Sequence, residues 1–382
     1  MCAGSQFREF AAVRDNVLPM NPDLARYQRQ MLLAGIGEHG QRRLLESTVM
    51  IPGCGALGCV IADLLARAGV GHLVIVDRDF IELSNLQRQP LFDERDVADA
   101  IPKAEAARRR IARINSQIRV TAIVDDLNFS NIEGYARGVD LFVDGLDNIE
   151  TRYLVNDLAV KTGRPYIYGA AVGTTGMAMP ILPHTLQGDS AWERTDDFAT
   201  PCLRCVFEEA PPPGSSATCD TVGVIGPAVG VIANFQVAEA LKILTANFDR
   251  VSRVLLTIDL WANEILQLKV SGAREDGDCP CCKRQNYEYL EGATGSSAAS
   301  LCGRNAVQLR HRQTAGRVDL AAMAARLAKQ GTVKSNEFML RTEITDNDQP
   351  YEVTLFHDGR AIIKGTNDAG VARSIYAKYI GS

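Results

Sequence analysis

Residues 49–89 read VMIPGCGALGCVIADLLARAGVGHLVIVDRDFIELSNLQRQ. An apolar run at 48–51 enters Gly53-x-Gly55-x-x-Gly58, a helical pattern comes next, and a second apolar run at 73–76 ends on Asp77. Strand, glycine turn, helix, strand and acid in that order constrain the fold more than any other feature: they make a βαβ unit of the nucleotide-binding type. Gly53 permits the tight turn, Gly55 lets the backbone approach a phosphate, and Gly58 lets the helix pack closely on the strand. The helix N-terminus then offers free N–H groups to an anion. Asp77 is placed to accept hydrogen bonds from a ribose hydroxyl. Pro52 cannot donate to a sheet ladder and is tolerable there only as a strand end.

The residues just past this acid narrow the ligand. Asp79 comes two residues after Asp77, and Asn85 and Arg88 stand in SNLQRQ. Hydride transfer has no use for an arginine and an asparagine at that point, whereas a bound triphosphate does. Strand and helix patterns continue to alternate: helices at 59–68, 103–114 and 151–162, strands at 119–124, 141–144 and 166–170. That alternation predicts an α/β fold, Rossmann-like and doubly wound, with a mainly parallel sheet and helices on both faces. After Gly176 the pattern changes to MAMPILP, then to turn-rich stretches at 184–200 and 210–219, and two more strands are expected at 253–259 and 264–270.

Cysteine spacing is the second strong constraint. Of 10 cysteines, four form the pairs Cys202-x-x-Cys205 and Cys279-x-x-Cys282. Each pair can present two thiolates to one metal, and two pairs complete a tetrahedral zinc site. Such a zinc is structural, because four thiolates leave no open position. Cys281 could replace one ligand, and a redox-active pair is the competing reading. Cys219 precedes a long apolar pattern; near a helix N-terminus its thiol would be more nucleophilic, and packing under a loop is the alternative. Cys54 and Cys59 flank the glycine turn and read as packing.

The chain is identified as a relative of the ThiF/MoeB family, akin to the adenylating domain of ubiquitin-activating enzymes. The resemblance is carried by RYQRQMLLAGIGEHGQ at 26–41, the glycine turn, SNLQRQ, AIPKAEAARRRIARIN, FVDGLDNIETR and the paired cysteines, about two-thirds of the chain. It implies ATP-dependent, magnesium-assisted adenylation of the C-terminal diglycine carboxylate of a ubiquitin-like protein of the sulfur-carrier type. The alternative is activation of such a protein for conjugation through a cysteine thioester. The resemblance gives Asp77 the ribose and Asn85, Arg88 and Lys103 the phosphates. It gives Asp147 the magnesium, accompanied by Asn148 and Arg152. Arg29 becomes an arginine that reaches the ATP site of a second subunit, and the expectation of a homodimer rests on that role alone. The family pattern favours Cys279 and Cys282 over Cys281 as zinc ligands. A sulfurtransferase or cysteine desulfurase is the implied source of sulfur. Read alone, Arg88 and Lys103 could be surface charges, Asp147 a helix N-cap, and Arg29 half of a local ion pair.

A net charge of −5 gives no electrostatic case for nucleic acid. The first residues have no apolar signal core, and 221–238 reads as a buried helix and not a membrane span, so a reducing cytoplasm is expected. The organisation expected is an N-terminal extension at 1–25, the adenylation domain with its zinc at 26–290, a linker at 291–300 and a small α+β domain at 301–382. The last reads β-α-β-β-α, with strands at 306–311 and 337–344, helices at 319–330 and 368–379, and a hairpin at 351–364 turning on His357 to Gly359. It carries no motif with a chemical reading. A packing or dimer-stabilising appendage is the expectation, with partner docking as the rival. An NAD-linked oxidoreductase would leave Arg88, Lys103 and Asp147 without a task, and a mere scaffold would not need a phosphate constellation.

Overall fold

The computed structural model describes residues 22–184, 198–209, 219–275, 277–293, 300–301, 305–309, 318–328, 331–346, 349–357 and 359–381. Its first unit is an eight-stranded sheet of order β3-β2-β1-β4-β5-β6-β7-β8. The strands are β1 (Thr48–Pro52), β2 (His72–Val76), β3 (Arg119–Ile123), β4 (Leu141–Val143), β5 (Tyr166–Val172), β6 (Thr175–Ile181), β7 (Val254–Asp259) and β8 (Glu264–Lys269). From β3 to β5 every pairing is parallel; from β5 to β8 every pairing is antiparallel. The change has a local cause. Long helical connections separate the parallel strands, whereas only Gly173 and Thr174 separate β5 from β6, and two residues can only make a hairpin. Strand β6 is the element the sequence left unassigned, because Pro180 interrupts its apolar run.

Successive side chains of a strand face opposite ways, and here both faces are buried. Val49, Ile51, Leu73 and Ile75 enter one core, with the helices Ala56–Ala68, Lys103–Ile114 and Gly226–Leu244. Met50, Val74, Val76 and Phe142 enter the other, with the helix Ile149–Thr162 and the paired cysteines. The helix Gly226–Leu244 is long and apolar enough to cross a membrane, but it is a core helix here, burying Ile232, Ala233, Gln236 and Ile243.

The second unit is a six-stranded antiparallel sheet of order β11-β12-β13-β14-β10-β9. Its strands are β9 (Ser300–Leu301), β10 (Ala306–Leu309), β11 (Val333–Ser335), β12 (Met339–Asp346), β13 (Gln349–Phe356) and β14 (Ala361–Lys364). Helices Leu320–Leu327 and Ala369–Tyr379 cover it, each opened by an aspartate, Asp319 and Asp368, whose carboxylate accepts from backbone N–H groups of the first turn. The expected hairpin is present, and Gly359 supplies positive φ at its turn. Strands β9 and β11 are additions to the expected pattern; two and three residues are too few for a periodic signal. Residues 1–21, most of the stretches at 184–200 and 210–219, and most of the proposed linker lie outside the described residues.

Candidate active site and metal centre

The glycine turn, Asp77 and Asp147 follow the carboxyl ends of β1, β2 and β4, where ligands bind in open α/β sheets. Two glycine turns press on each other there. A Cβ on Gly53 would lie 2.5 Å from the Gly145 carbonyl oxygen, and one on Gly58 would lie 2.1 Å from the Gly53 carbonyl oxygen. Pro52 fits because its carbonyl is what the turn uses: it accepts from Gly145 N–H at 2.9 Å. Gly55 differs. A Cβ there would meet nothing closer than 3.8 Å, so the fold itself does not demand glycine. The bare backbone leaves room for a ligand at the start of the helix Ala56–Ala68.

The carboxylate of Asp77 is fixed by two backbone donors, Cys54 N–H at 2.7 Å and Asp79 N–H at 2.7 Å. Burial pushes this carboxyl above its usual range, and Lys103 opposes that push. Lys103 is 4% exposed and begins the helix Lys103–Ile114. Its ammonium lies 3.1 Å from Asp79, and its N–H donates to the Asp79 carbonyl at 2.9 Å. A buried lysine in an ion pair is not a solvated surface charge. Asn85 is buried and forms a reciprocal cap with Glu82. Arg88 donates to the Ser84 carbonyl at 3.0 Å, and its turn lies against Gly226 at the start of the helix Gly226–Leu244.

Asp147 is exposed at the mouth of the crevice, and the N-cap it could have been is Asn148, whose side chain accepts from Thr151 N–H at 2.8 Å. The cap reading therefore belongs to the neighbour, and Asp147 keeps a carboxylate available. Asn148, expected at the nucleotide, has its oxygen committed to the helix. Arg152 is buried and serves the floor: it bonds Asp144 at 3.0 Å and the carbonyls of Leu146 and Gly169.

Sequence reading missed three residues here: Arg78, Asp126 and Asp144. Arg78 bonds Asp126 at 2.8 Å. Burial works against its charge, but Asp126, Asp79, Asp147 and Asp77 hold its pKa above the ordinary arginine value. Asp144, wholly buried, also accepts from Tyr166 and from Leu146 N–H. The available signal was position: Asp144 ends the apolar run of β4 as Asp77 ends that of β2, and Arg78 stands between two predicted ligands.

Arg29 lies elsewhere in its own chain. It is exposed on the short helix Gln28–Met31, where its neighbour Gln30 donates to the Ala68 carbonyl. Ala68 is the far end of the 13-residue helix Ala56–Ala68, roughly 20 Å from the glycine turn at a rise of about 1.5 Å per residue. Cys219 begins the helix Cys219–Val222, and the residues just before it lie outside the described ones.

The sulfurs of Cys202, Cys205, Cys279 and Cys282 lie within 4.8 Å of one another. Their contacts include 3.6 Å from Cys202 to Cys279 and 3.3 Å from Cys205 to Cys282. Four thiolates at this spacing fit a zinc ion. Cys281 is excluded from the set: its buried sulfur instead accepts from the Asn156 amide at 3.4 Å. Beside the paired cysteines, an open cavity of about 280 Å³ is lined by Ile149, Arg152, Tyr168, Val172, Met177 and Phe207.

The model of the ThiF family matches residues 27–281. The chain is 43% identical over 357 residues to the sulfur carrier protein ThiS adenylyltransferase of Bacillus subtilis, covering 93% of this chain and 99% of that protein. It is 37% identical over 260 residues to a sulfur carrier protein adenylyltransferase of Thermus thermophilus, covering 68% of this chain and 91% of that one. The match to the first relative is long enough to extend over the second sheet. Among solved structures, Escherichia coli MccB with MccA-N7isoASN superposes with a TM-score of 0.57 at 23% identity, over 69% of this chain and 75% of that one; this likeness concerns the fold. With half its length or more under the family model and relatives above 30% identity along most of theirs, the chain belongs to the ThiF family.

Proposed function

We propose that the protein is an ATP-dependent adenylyltransferase that activates the C-terminal carboxylate of a diglycine-ended, ubiquitin-fold sulfur-carrier protein. The observation that supports this is the cluster beside the glycine turn, where Asp77, Asp79 and Lys103 are held together next to Gly55, in a chain of the ThiF family. A carrier carboxylate oxygen attacks the α-phosphorus, the O–P bond forms, and the bond from the α-phosphorus to the β-phosphate oxygen breaks to release pyrophosphate. No strong acid or base is required. The rate comes from positioning and from neutralising phosphate charge. Lys103, Arg88 and Arg78 supply positive charge, Asp77 orients the ribose, and Asp147 would hold magnesium, which neutralises the leaving phosphates. The cavity beside the zinc loop is open and apolar enough to seat a flexible carrier tail.

Two copies make the working unit in this reading. Arg29 is too far along its own chain to reach its own crevice, so a role at ATP needs a second subunit. Phe235, Trp261, Ile265 and Leu266 form exposed apolar surface of the kind that partners cover. The four-cysteine cluster requires thiols, which supports a reducing, cytoplasmic setting, and sulfur would come from a separate sulfurtransferase or cysteine desulfurase. The sulfur-carrier names of the relatives favour this over thioester conjugation.

The test is ATP–pyrophosphate exchange with magnesium against a panel of diglycine-ended ubiquitin-fold proteins. Exchange with one carrier, abolished by deleting its last glycine, is the expected result. Absence of exchange with every carrier, in protein shown to bind ATP, would overturn the assignment. Intact mass of the reacting mixture reads whether Cys219 takes up the acyl group.

A further inference from the structure

The second sheet meets the first unit along the wall of the nucleotide crevice. Phe80, three residues past Asp77, is only 7% exposed because Met339 and Phe356 of the second sheet cover it. The Phe80 and Phe356 ring centroids are 5.7 Å apart. Around this apolar plug, polar contacts join the two units. Three of them reach Arg78 through its partner Asp126, the Glu82–Asn85 turn, and the approach to the Lys103 helix.

Gln308 of β10, 5% exposed, donates to the second oxygen of Asp126 at 3.1 Å, while the first oxygen holds Arg78 at 2.8 Å. Lys364 of β14 lies 3.1 Å from Glu82, and Glu82 and Asn85 cap each other's backbone N–H. Asn336 donates to the Ala100 carbonyl at 2.9 Å. Ala100 has positive φ and lies just ahead of Pro102, the residue that opens the Lys103 helix. A packing appendage would need only the apolar contact. It would have no reason to direct a buried amide and an ammonium at carboxylates whose other side faces Arg78 and Asn85.

We propose that the second sheet is a wall of the ATP site, with Gln308 and Lys364 as positioning residues that act through Asp126–Arg78 and Glu82–Asn85. Lys364 also neutralises Glu82, whose bare carboxylate would otherwise add negative charge beside a triphosphate. This rests on the nucleotide reading of the crevice, and goes beyond it by making the motif-free module part of nucleotide recognition.

The experiment is calorimetric titration of magnesium-ATP into the full chain without any carrier, with Lys364→Met, Lys364→Arg and Gln308→Leu. The expected result is roughly tenfold weaker binding for Lys364→Met, about 1.4 kcal/mol, with most of the loss restored in Lys364→Arg. The melting temperature without nucleotide should stay within about 2 °C of the parent for the half-exposed Lys364 variants. Gln308→Leu should weaken ATP similarly. In the exchange assay the ATP KM rises while the carrier KM stays. Amides 78–88 of nucleotide-free Lys364→Met should exchange faster with solvent. Variants that melt earlier yet bind ATP like the parent, with unchanged exchange at 78–88, would overturn the proposal and leave a packing role. Exchange activity absent with every carrier, while the titrations keep the expected order, removes the adenylation reading and upholds this one.

Discussion

Two clusters in this molecule gather charged or ionisable side chains from distant parts of the chain, and they are built in opposite ways. The four-cysteine cluster is closed. Cys202, Cys205 and Cys279 are buried, the four sulfurs face one another, and the surrounding groups, Asn156 and Asp157, point at backbone or at Cys281. The nucleotide crevice is open. Asp77 and Lys103 are anchored at its back, but Asp147 and Arg88 stand at its mouth with chemistry to spare for a ligand. The lesson is one of stoichiometry. A cluster that satisfies itself on binding one ion holds the fold together, and a cluster that orients half its groups and leaves the rest facing outward binds what passes through.

Breaking the closed cluster should have the largest effect. Structural zinc in small domains contributes on the order of 10 kcal/mol of folding free energy. Cys205→Ser, or removal of metal by a strong chelator, is expected to release about one zinc per chain and to unfold the region that joins helix Ile149–Thr162 to the turn at 279–282. Metal analysis with thermal unfolding checks this. Carefully purified protein with well under one zinc per chain would break the comparison at its root.

The open cluster should respond in rate and not in fold. Asp147 is exposed, so the melting temperature of Asp147→Ala should match the parent, whereas adenylation should fall about 100-fold or more. Arg29→Ala should fall comparably, and mixing the two inactive proteins tests the second subunit directly. Heterodimers regain one intact site if Arg29 acts across the interface; no recovery after demonstrated subunit exchange sinks the trans role.

How far the two clusters could be read in the sequence obeys the same division. The four-cysteine cluster was legible because a CxxC spacing is local and chemically specific. What the spacing could not decide, Cys281 against Cys282, depended on Asn156, which lies 125 residues away. In the crevice, Gly53, Gly58 and Asp77 were legible because turn and strand geometry imposes them. Arg78 and Asp144 were not: Arg78 finds Asp126 only when β2 pairs with β3, and Asp144 finds Tyr166 only when β4 pairs with β5. The second sheet was legible as helices and strands, since Asp319 and Asp368 cap and Gly359 turns. Its attachment was not, because Phe80, Gln308 and Lys364 belong to no motif and meet only through packing. The extended ladder β5–β6 was obscured by one proline.

A finer test separates glycines that the fold needs from the one a ligand needs. Gly55→Ala would make only an ordinary contact, 3.8 Å from the Gly145 carbonyl oxygen, so stability should hold, as an unchanged melt would show. ATP binding should weaken roughly tenfold, about 1.4 kcal/mol, because a methyl would stand where a phosphate approaches. Gly58→Ala, by contrast, drives a Cβ into the Gly53 carbonyl and should lower the melt itself. Equal ATP affinity in Gly55→Ala would show that the turn is structural throughout.

The smallest expected effect lies beside the closed cluster. Asp157 is wholly buried, and burial pushes its carboxyl up to about 6. Its unfolded value is about 3.9, so the unfolded chain gives up this proton first. Its contribution to stability is therefore fully present below about pH 4 and is lost as pH rises through about 6. Asp157→Asn keeps an oxygen for the Tyr289 N–H that Asp157 now accepts at 3.0 Å and cannot ionise, so stability above pH 6 should rise by about 1 kcal/mol. Full conversion of the shift would predict more, but the substitution also gives up attraction to Arg204, which helps to hold the carboxylate charged. Unfolding curves at pH 4 and pH 7.5 read the difference. A gain that appears only at the higher pH marks Asp157 as a burden the closed cluster carries, in contrast to Asp77, whose buried charge the open crevice balances with Lys103. A variant destabilised at both pH values would mean that the ionised Asp157 holds the zinc loop in place, and the two clusters would then share one design.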